Sequence, residues 1–559
     1  MTKANIQIKL EDLGIDLASM PEGGMKEALV QLFNLVEELS STIRELQEEN
    51  QKLRDEINRL KGEQGKPNIK ESKRKEDNDF SSEKERKSEV DRKRGKREPK
   101  LDKITITKTV KCEVAAEVLP ADAEFKGYES VIVQDLKIEA ENIEFQRDIY
   151  YSALCKQTFT GKVPLGYEGG YGPSVKSLAI IMKYACNMSE NKILEFFNNF
   201  GIYISSSTIS RMLIKDKEDF HKEKEEIFKA GLSSSIYQQI DDTSARVNGE
   251  NCYTHVLCND LYTAYFTEKN KNRLTILDIL RGYGERRYLF NEETFILFER
   301  LRVSKGITEK VRRFADGKSY KEEELEEDLL KNLPDIGKQT RARILEAGAI
   351  SSYHNEKGYS VVEILICDDA PQFKLLTEKL GLCWVHDGRN YKKLRPVLSI
   401  NEKELEKFRT IYWGYYKKLL KFKESPTREF AIELSEEFDK IFSTVTNYKD
   451  LDERIRLSKE KKEELLMVLK YPEIPLHNNE AELGARVQVR KRDVSLQTRT
   501  QEGTKANDTF LTIIETAKKL FVNVYSYIHD KVSKRNSLPS LAETIVQKVN
   551  ERKKQLCQT

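Results

Sequence analysis

Three acidic positions in this sequence stand where carboxylates can share a metal ion. Asp241-Asp242 follow the stretch Ser235–Ile240, and Asp368-Asp369 follow the apolar run Val361–Cys367. Both stretches read as strands, so each acidic doublet is expected at a strand end. Side chains alternate on a strand, so one member of each doublet faces a shared site and the other faces away. Spacing alone leaves open which. The third carboxylate comes from His477-Asn478-Asn479-Glu480-Ala481-Glu482. There the period becomes helical. Glu482, Arg486 and Arg490 recur every four residues and share one helix face, with Lys491 and Arg492 continuing the basic tract. Carboxylate oxygens suit hard Mg²⁺, which keeps water and phosphate in its remaining positions. Two such ions about 4 Å apart activate a nucleophile and stabilise the leaving oxygen of an in-line displacement. Arginines one and two turns beyond the acid suit a scissile phosphate and its flanking backbone. Taken alone, Glu482 with Arg486 is also a common i,i+4 surface pair. His386 suits either polarising a phosphate or a buried structural role.

These residues need a scaffold. Ser235–Ile240, Cys252–Cys258 and Tyr262–Thr267 read as three successive strands, and Val361–Cys367 as a fourth. A helix is expected over Pro371–Leu380 and a strand around Leu382–Val385. Strand, strand, strand, with acids at the end of the first, is how an RNase H-like sheet begins. The long gaps between Asp241, Asp368 and Glu482 require insertions at about 281–358 and 387–476. The first insertion holds Leu333-Pro334-Asp335-Ile336-Gly337, which reads either as the hairpin of a helix-hairpin-helix or as an ordinary helical turn. The second is rich in Tyr391, Tyr412, Trp413, Tyr415 and Tyr416, with Lys392, Lys393 and Lys417. Aromatics at helical spacing point to core before base stacking. Helices are expected at Thr509–Leu520, Val522–Lys531 and Leu541–Lys553.

The N-terminal part reads differently. Leu32, Leu39, Leu46, Leu53 and Leu60 alternate with Leu29, Val36, Ile43, Asn50 and Ile57 as the two apolar series of a heptad repeat. Mostly β-branched a residues with Leu at d favour a parallel dimer, and the lone Asn50 fixes register. Glu49 with Arg54 and Glu56 with Lys61 are complementary across such a pair. Residues 62–100 are a charged linker with almost no large apolar residue, carrying the basic clusters Lys73-Arg74-Lys75 and Arg92-Lys93-Arg94. Residues 101–173 read as a small β-rich module, on the alternation at Ile104, Ile106 and Val110 and the run Val131-Ile132-Val133. Residues 174–230 read as helical, with Ser189 and the run Ser205-Ser206-Ser207-Thr208 as caps either side of Gly201, a pattern compatible with helix-turn-helix DNA binding.

At about 150 residues per domain, 559 residues hold roughly three or four domains. The division is then 1–61 coiled coil, 62–100 linker, 101–173 β-rich module, 174–230 helical DNA-binding region, 231–530 catalytic domain and 531–559 helical tail. Charged residues are 34% of the chain against roughly 25% in an average globular protein, which favours long solvated helices and a polyelectrolyte partner. The net charge is only +3, so affinity for nucleic acid must come from local patches. No apolar run reaches a membrane span and no signal-peptide core is present, which argues for the cytoplasm and against a membrane partner. The eight cysteines form no Cys-x-x-Cys pair, as expected of buried free thiols in a reducing compartment. Cys112 and Cys155 fall short of the usual four-ligand set, so zinc is not expected.

The whole pattern resembles the insertion sequence 66 family of DDE-type transposases. The likeness rests on Asp241-Asp242-Thr243, on Asp368-Asp369-Ala370-Pro371-Gln372-Phe373, on Cys383-Trp384-Val385-His386, and on Asn478-Asn479-Glu480-Ala481-Glu482 with Arg486. It extends over most of the chain, and the leading zipper matches the family's domain order. The family's usual cysteine-rich zinc module is absent here, and His477 stands where Asp often precedes the paired Asn. The resemblance implies an α/β protein with much added helix: an RNase H-like catalytic core with helical insertions, preceded by a coiled coil and a small β-rich plus helical DNA-binding region. It implies Asp241, Asp368 and Glu482 as the catalytic and metal-binding acids, holding two Mg²⁺ ions that Mn²⁺ can replace. It casts Asp242, Asp369, His386, Asn478 and Asn479 in support, and Arg486, Arg490, Lys491 and Arg492 on DNA. The implied partners are double-stranded DNA, both element ends and target, a second copy of the chain through residues 29–60, and small accessory proteins. The implied location is the cytoplasm, at the nucleoid. The implied reaction cuts element ends and joins them to target DNA. Two other readings stay open: a dimeric DNA-binding protein on a decayed nuclease scaffold, and a metal-dependent nuclease without strand joining.

Overall fold

Asn248-Gly249 is the strongest short turn signal in the chain, and both residues adopt positive φ (49° and 83°). That geometry closes a two-residue hairpin. In a computed structural model describing residues 20–21, 23–61, 104–120, 123–358 and 360–556, it joins the two longest strands. Numbering all strands along the chain, a small hairpin supplies β1 (Ile149–Ser152) and β2 (Gln157–Thr160). The main sheet comprises β3 (Tyr237–Val247), β4 (Glu250–Cys258), β5 (Thr263–Glu268), β8 (Ile364–Cys367) and β9 (Lys379–Leu382), in the order β5-β4-β3-β8-β9. β3, β4 and β5 form an antiparallel meander, whereas β8 lies parallel to β3 and β9 parallel to β8. The sheet is therefore mixed and the fold is α/β. β8 (ILIC) is buried along its whole length, as a central parallel strand must be.

Helices are numbered likewise. α1 is Gly24–Leu60; α2 to α5 are Pro173–Tyr184, Glu190–Asn199, Ser206–Ile214 and Glu218–Leu232. Ser189 and Ser205 cap α3 and α4 as their sequence context predicts, accepting from the amides of Lys192 and Thr208. The segment between β5 and β8 holds α6 (Arg273–Leu280), α7 (Glu292–Arg300), α8 (Lys305–Ala315), α9 (Glu322–Asn332) and α10 (Lys338–His354). It also contains a two-stranded ribbon of β6 (Arg287–Leu289) and β7 (Ser319–Lys321), which the expectation of a helical insertion at about 281–358 did not include. After β9 come α11 (Trp384–Lys393), α12 (Ser399–Glu424), α13 (Arg428–Ile441), α14 (Lys449–Lys459), α15 (Lys462–Leu465) and α16 (Met467–Lys470). Here Tyr391, Tyr412, Tyr415 and Tyr416 are buried around Trp384, so these aromatics are core. α17 (Asn479–Ser495) and α18 (Gln501–Lys519) pack on the meander, followed by α19 (Val524–Val532) and α20 (Leu541–Leu556).

Four expectations are corrected. The acids of β3 do not end a strand: β3 runs on through Val247, because Asp241, Asp242 and Thr243 keep pairing with Val256, His255 and Thr254. Pro371–Leu380 is no helix. Only a 3₁₀ turn, Pro371–Phe373, forms before β9. The Arg273 guanidinium takes the carbonyls of Pro371 and Lys374, both at 2.8 Å, which a helix would have used internally. The strand placed at Leu382–Val385 lies earlier, at Lys379–Leu382, and Trp384 already begins α11. Of the β-rich module expected at 101–173, the paired strands described are β1 and β2; residues 104–120 and 123–148 show no strand pairing and one 3₁₀ turn, Ala116–Val118, and Val131, Val133 and Leu136 are exposed. Alternation alone does not make a sheet, which also needs a partner strand. The charged linker at 62–100 and its basic clusters lie outside the described residues. No helix among those described is long and apolar enough to cross a membrane.

Candidate active site

Parallel pairing of β3 with β8 ends with Gln239 opposite Ile366; Asp241 follows two residues on along β3, and Asp368 two residues on, just past the end of β8, near enough for its charge to act on Asp241. Strands in a ladder lie about 4.8 Å apart. Glu482 joins them from α17, whose start is fixed to the sheet. The Asn478 side-chain amide donates to the Ile240 carbonyl at 2.7 Å, and the Glu480 amide donates to the Gln239 side chain at 3.2 Å. Gly484, one turn into the helix, lets it lie flat on the meander: a Cβ there would stand 2.7 Å from Val256. Asn479 is buried beside this junction.

The doublets divide as the pleat requires. Asp241 faces the other acids. Burial pushes its carboxyl up to about 7, against a lowering hydrogen bond from the Asp242 amide, with the charges of Asp368, Glu482 and Asp242 adding to the rise. Asp242 turns away to Lys271 at 3.3 Å and to the Gln372 side-chain amide at 2.7 Å. Asp369 is likewise taken by Lys374 at 2.7 Å and by Lys461. Its carboxyl lies below the usual range because those hydrogen bonds outweigh an opposing burial effect. The Asp368 side chain accepts from the Ala370 amide at 3.1 Å.

Glu482 is mostly buried, and its carboxylate meets three cationic or titratable side chains. His386 Nε2 lies 3.6 Å away, Arg389 3.6 Å and Arg486 3.5 Å. Burial holds the His386 ring below its ordinary pKa, and the neighbouring Arg389 adds to that, against the Glu482 charge. Arg389 and Cys383 were not singled out individually from sequence. Their signal was present in Cys383-x-x-His386-x-x-Arg389, a three-residue spacing that puts all three on one side of a helix beginning. Cys383, His386 and Glu482 place potential ligand atoms within 4.8 Å of one another.

Of the basic tract, Arg486 and Arg490 are exposed. Arg492 donates to the Ser244 carbonyl and hydroxyl, and so braces α17 on β3. Lys491 is a correction to the DNA-contacting set. It is buried, with its amine 3.9 Å from the centre of the Tyr184 ring, and burial drives its pKa well down. One residue along a helix is about 100° of rotation, enough to move it off the Glu482–Arg490 face.

The acids fit a divalent cation. They are hard oxygen donors, and buried Asp241 has the like charges of Asp368 and Glu482 around it, which a divalent ion would offset. Clustered carboxylates on an α/β sheet have the donor chemistry to hold a divalent ion beside a phosphate ester. The comparisons with known proteins are more specific. Residues 168–289 and 342–506, about half of the chain, match the model of the Transposase IS66 family. The chain is also similar to "Uncharacterized protein y4jO" of Sinorhizobium fredii (strain NBRC 101917 / NGR234), 31% identical over 303 residues, which cover 54% of this chain and 94% of the relative. The chain belongs to the Transposase IS66 family: it is the transposase of an insertion sequence, a mobile element moved by DNA recombination.

Proposed function

We propose that this transposase cuts the ends of its element and joins them to target DNA at Asp241, Asp368 and Glu482. The observation that carries this reading is the β3–β8 register, which puts Asp241 and Asp368 each two residues past its last matched pair, while Asn478 anchors the helix bearing Glu482 to β3. The strand order β5-β4-β3-β8-β9, with β4 running against the other four strands, supports an RNase H-like core spanning about 231–530.

The reaction has two stages. Water attacks the phosphodiester at the element end, and the P–O bond to the leaving 3′-oxygen breaks to free a 3′-hydroxyl. That hydroxyl attacks a target phosphodiester, forming one P–O bond as another breaks. Asp241, Asp368 and Glu482 would hold the divalent ions, Mg²⁺ with Mn²⁺ able to replace it, which when bound polarise the nucleophile and neutralise charge on the phosphate. Gln372 and Lys271 keep Asp242 turned away, and Lys374 and Lys461 do the same for Asp369. Arg486 and Arg490 lie along the exposed face of α17, where they would grip the DNA backbone. Helices α2 to α5 would add DNA contacts, and α1 would pair two protomers so that each holds one end.

The test is cleavage and joining of the element's terminal DNA with Mg²⁺ or Mn²⁺. Asp241→Asn, Asp368→Asn and Glu482→Gln should each abolish nicking, by about 10³-fold or more, while DNA binding persists. Retained nicking in these variants would refute the assignment.

A further inference from the structure

Cys383 is buried at the N-cap of α11, and the Asn478 amide donates to its sulfur at 3.3 Å. An amide aimed at a sulfur stabilises negative charge on it. His386 follows one helical turn later on the same face, and its Nδ1 is buried without a hydrogen-bond partner. Glu482 completes the group from α17.

We propose that Cys383, His386 and Glu482 form a second type of metal site, for one divalent ion of borderline softness such as Zn²⁺, with a fourth position open. Sulfur and imidazole donors select this class of ion, whereas the oxygen-only pair Asp241 and Asp368 does not. A thiolate, an imidazole and a carboxylate leave one tetrahedral position for water or a phosphate oxygen. A thiol coordinated to such an ion is deprotonated outright. Arg389 now stands 3.2 Å from His386 Nε2, and with Arg486 it also contacts Glu482. Both arginines are over two-fifths exposed and can turn toward solvent or phosphate as the ion enters. Glu482 is shared with the proposed catalytic acids, so the site adjoins them, but its occupancy is measurable without any DNA reaction.

The experiment is Co²⁺ titration of the full-length, chelator-stripped protein followed by absorption. The expected result is a sulfur-to-cobalt charge-transfer band in the near ultraviolet with strong tetrahedral visible bands, saturating at one equivalent and erased by Zn²⁺. Cys383→Ser and His386→Asn should each lose the near-ultraviolet band or weaken it at least tenfold, with circular dichroism unchanged. Asp241→Asn should keep it. His386→Asn guards against misfolding of the buried Cys383→Ser variant. Weak octahedral bands alone in the wild type, or an undiminished band in both variants, would overturn the proposal. Wild type that nicks DNA yet shows no thiolate band would sink the soft-metal site and leave the transposase reading standing. A thiolate band without nicking would do the reverse.

Discussion

At the residue scale, the decisive contrast is between buried charges that have partners and one that does not. Asp387 is buried in α11, where it pairs with Arg454, accepts from Ser458 at 2.8 Å and from the Tyr412 hydroxyl at 3.2 Å. Removing one member of such a set strands the other charge. Asp387→Ala should therefore cost about 3 kcal/mol, read as a fall in the urea midpoint at constant slope. Lys491 is the opposite case, an amine in the core over the Tyr184 ring, with no hydrogen-bond partner among the described residues. Its folded-state pKa lies well below the ordinary lysine value because of burial. The unfolded chain thus binds the proton more tightly, and stability from this position rises as pH climbs toward that ordinary value. Lys491→Met should raise stability at neutral pH by about 1 kcal/mol, flatten that rise, and leave the salt dependence of DNA binding unchanged. Arg490→Ala should instead reduce the salt slope of binding by about one unit. A melt series over pH with the two binding isotherms decides both.

At the element scale, the difference between legible and hidden structure follows from where each element's causes lie. β3, β4, β5 and β8 were readable in part because short strand-forming stretches, and for β8 a continuous apolar run, are local signals. The caps Ser189 and Ser205 were readable for the same reason. The failed helix at Pro371–Leu380 was decided by Arg273, about a hundred residues earlier, and nothing local announces that tie. The acidic positions stood out as strand-end doublets, whereas the partners that engage Asp242 and Asp369 (Lys271, Gln372, Lys374 and Lys461) arrive from elsewhere in the chain. Helix α17 shows how much an element's seating matters to the site. Gly484→Val would drive a side chain into Val256 and lift the helix. We expect a loss of about 2 kcal/mol in stability and a far larger fractional loss of nicking, since overpacking at a helix–sheet contact displaces Glu482. If nicking falls only in proportion to the folded fraction, the seating argument fails.

At the scale of the whole molecule, α1 has two faces with separate tasks. One is docked. The Glu37 carboxylate is buried at the start of α12, accepting from the amides of Val397 and Leu398, each at 2.9 Å, and from the Asn401 side chain at 3.1 Å. Arg44 donates to the Arg395 carbonyl and Asn34 to that of Asn447. These residues occupy outer positions of the heptad. The opposite face carries the leucine series and is bare: Leu39, Leu46 and Leu53 are 54%, 57% and 57% exposed. A helix clamped by its polar back and exposing its apolar seam is arranged so that docking and proposed self-pairing do not compete. The two faces should then separate by mutation. Leu39→Glu with Leu46→Glu should convert a dimer to a monomer by light scattering while the melting of the body is unchanged, because neither residue is docked. Glu37→Ala should leave the dimer intact yet free α1 from the body. That substitution removes a carboxylate from orphan amides at a helix start, worth about 1–2 kcal/mol, and should be seen as faster proteolysis between α1 and the body. Should the seam variant unfold the body, or the Glu37 variant dissolve the dimer, the two faces act as one and the division of labour fails.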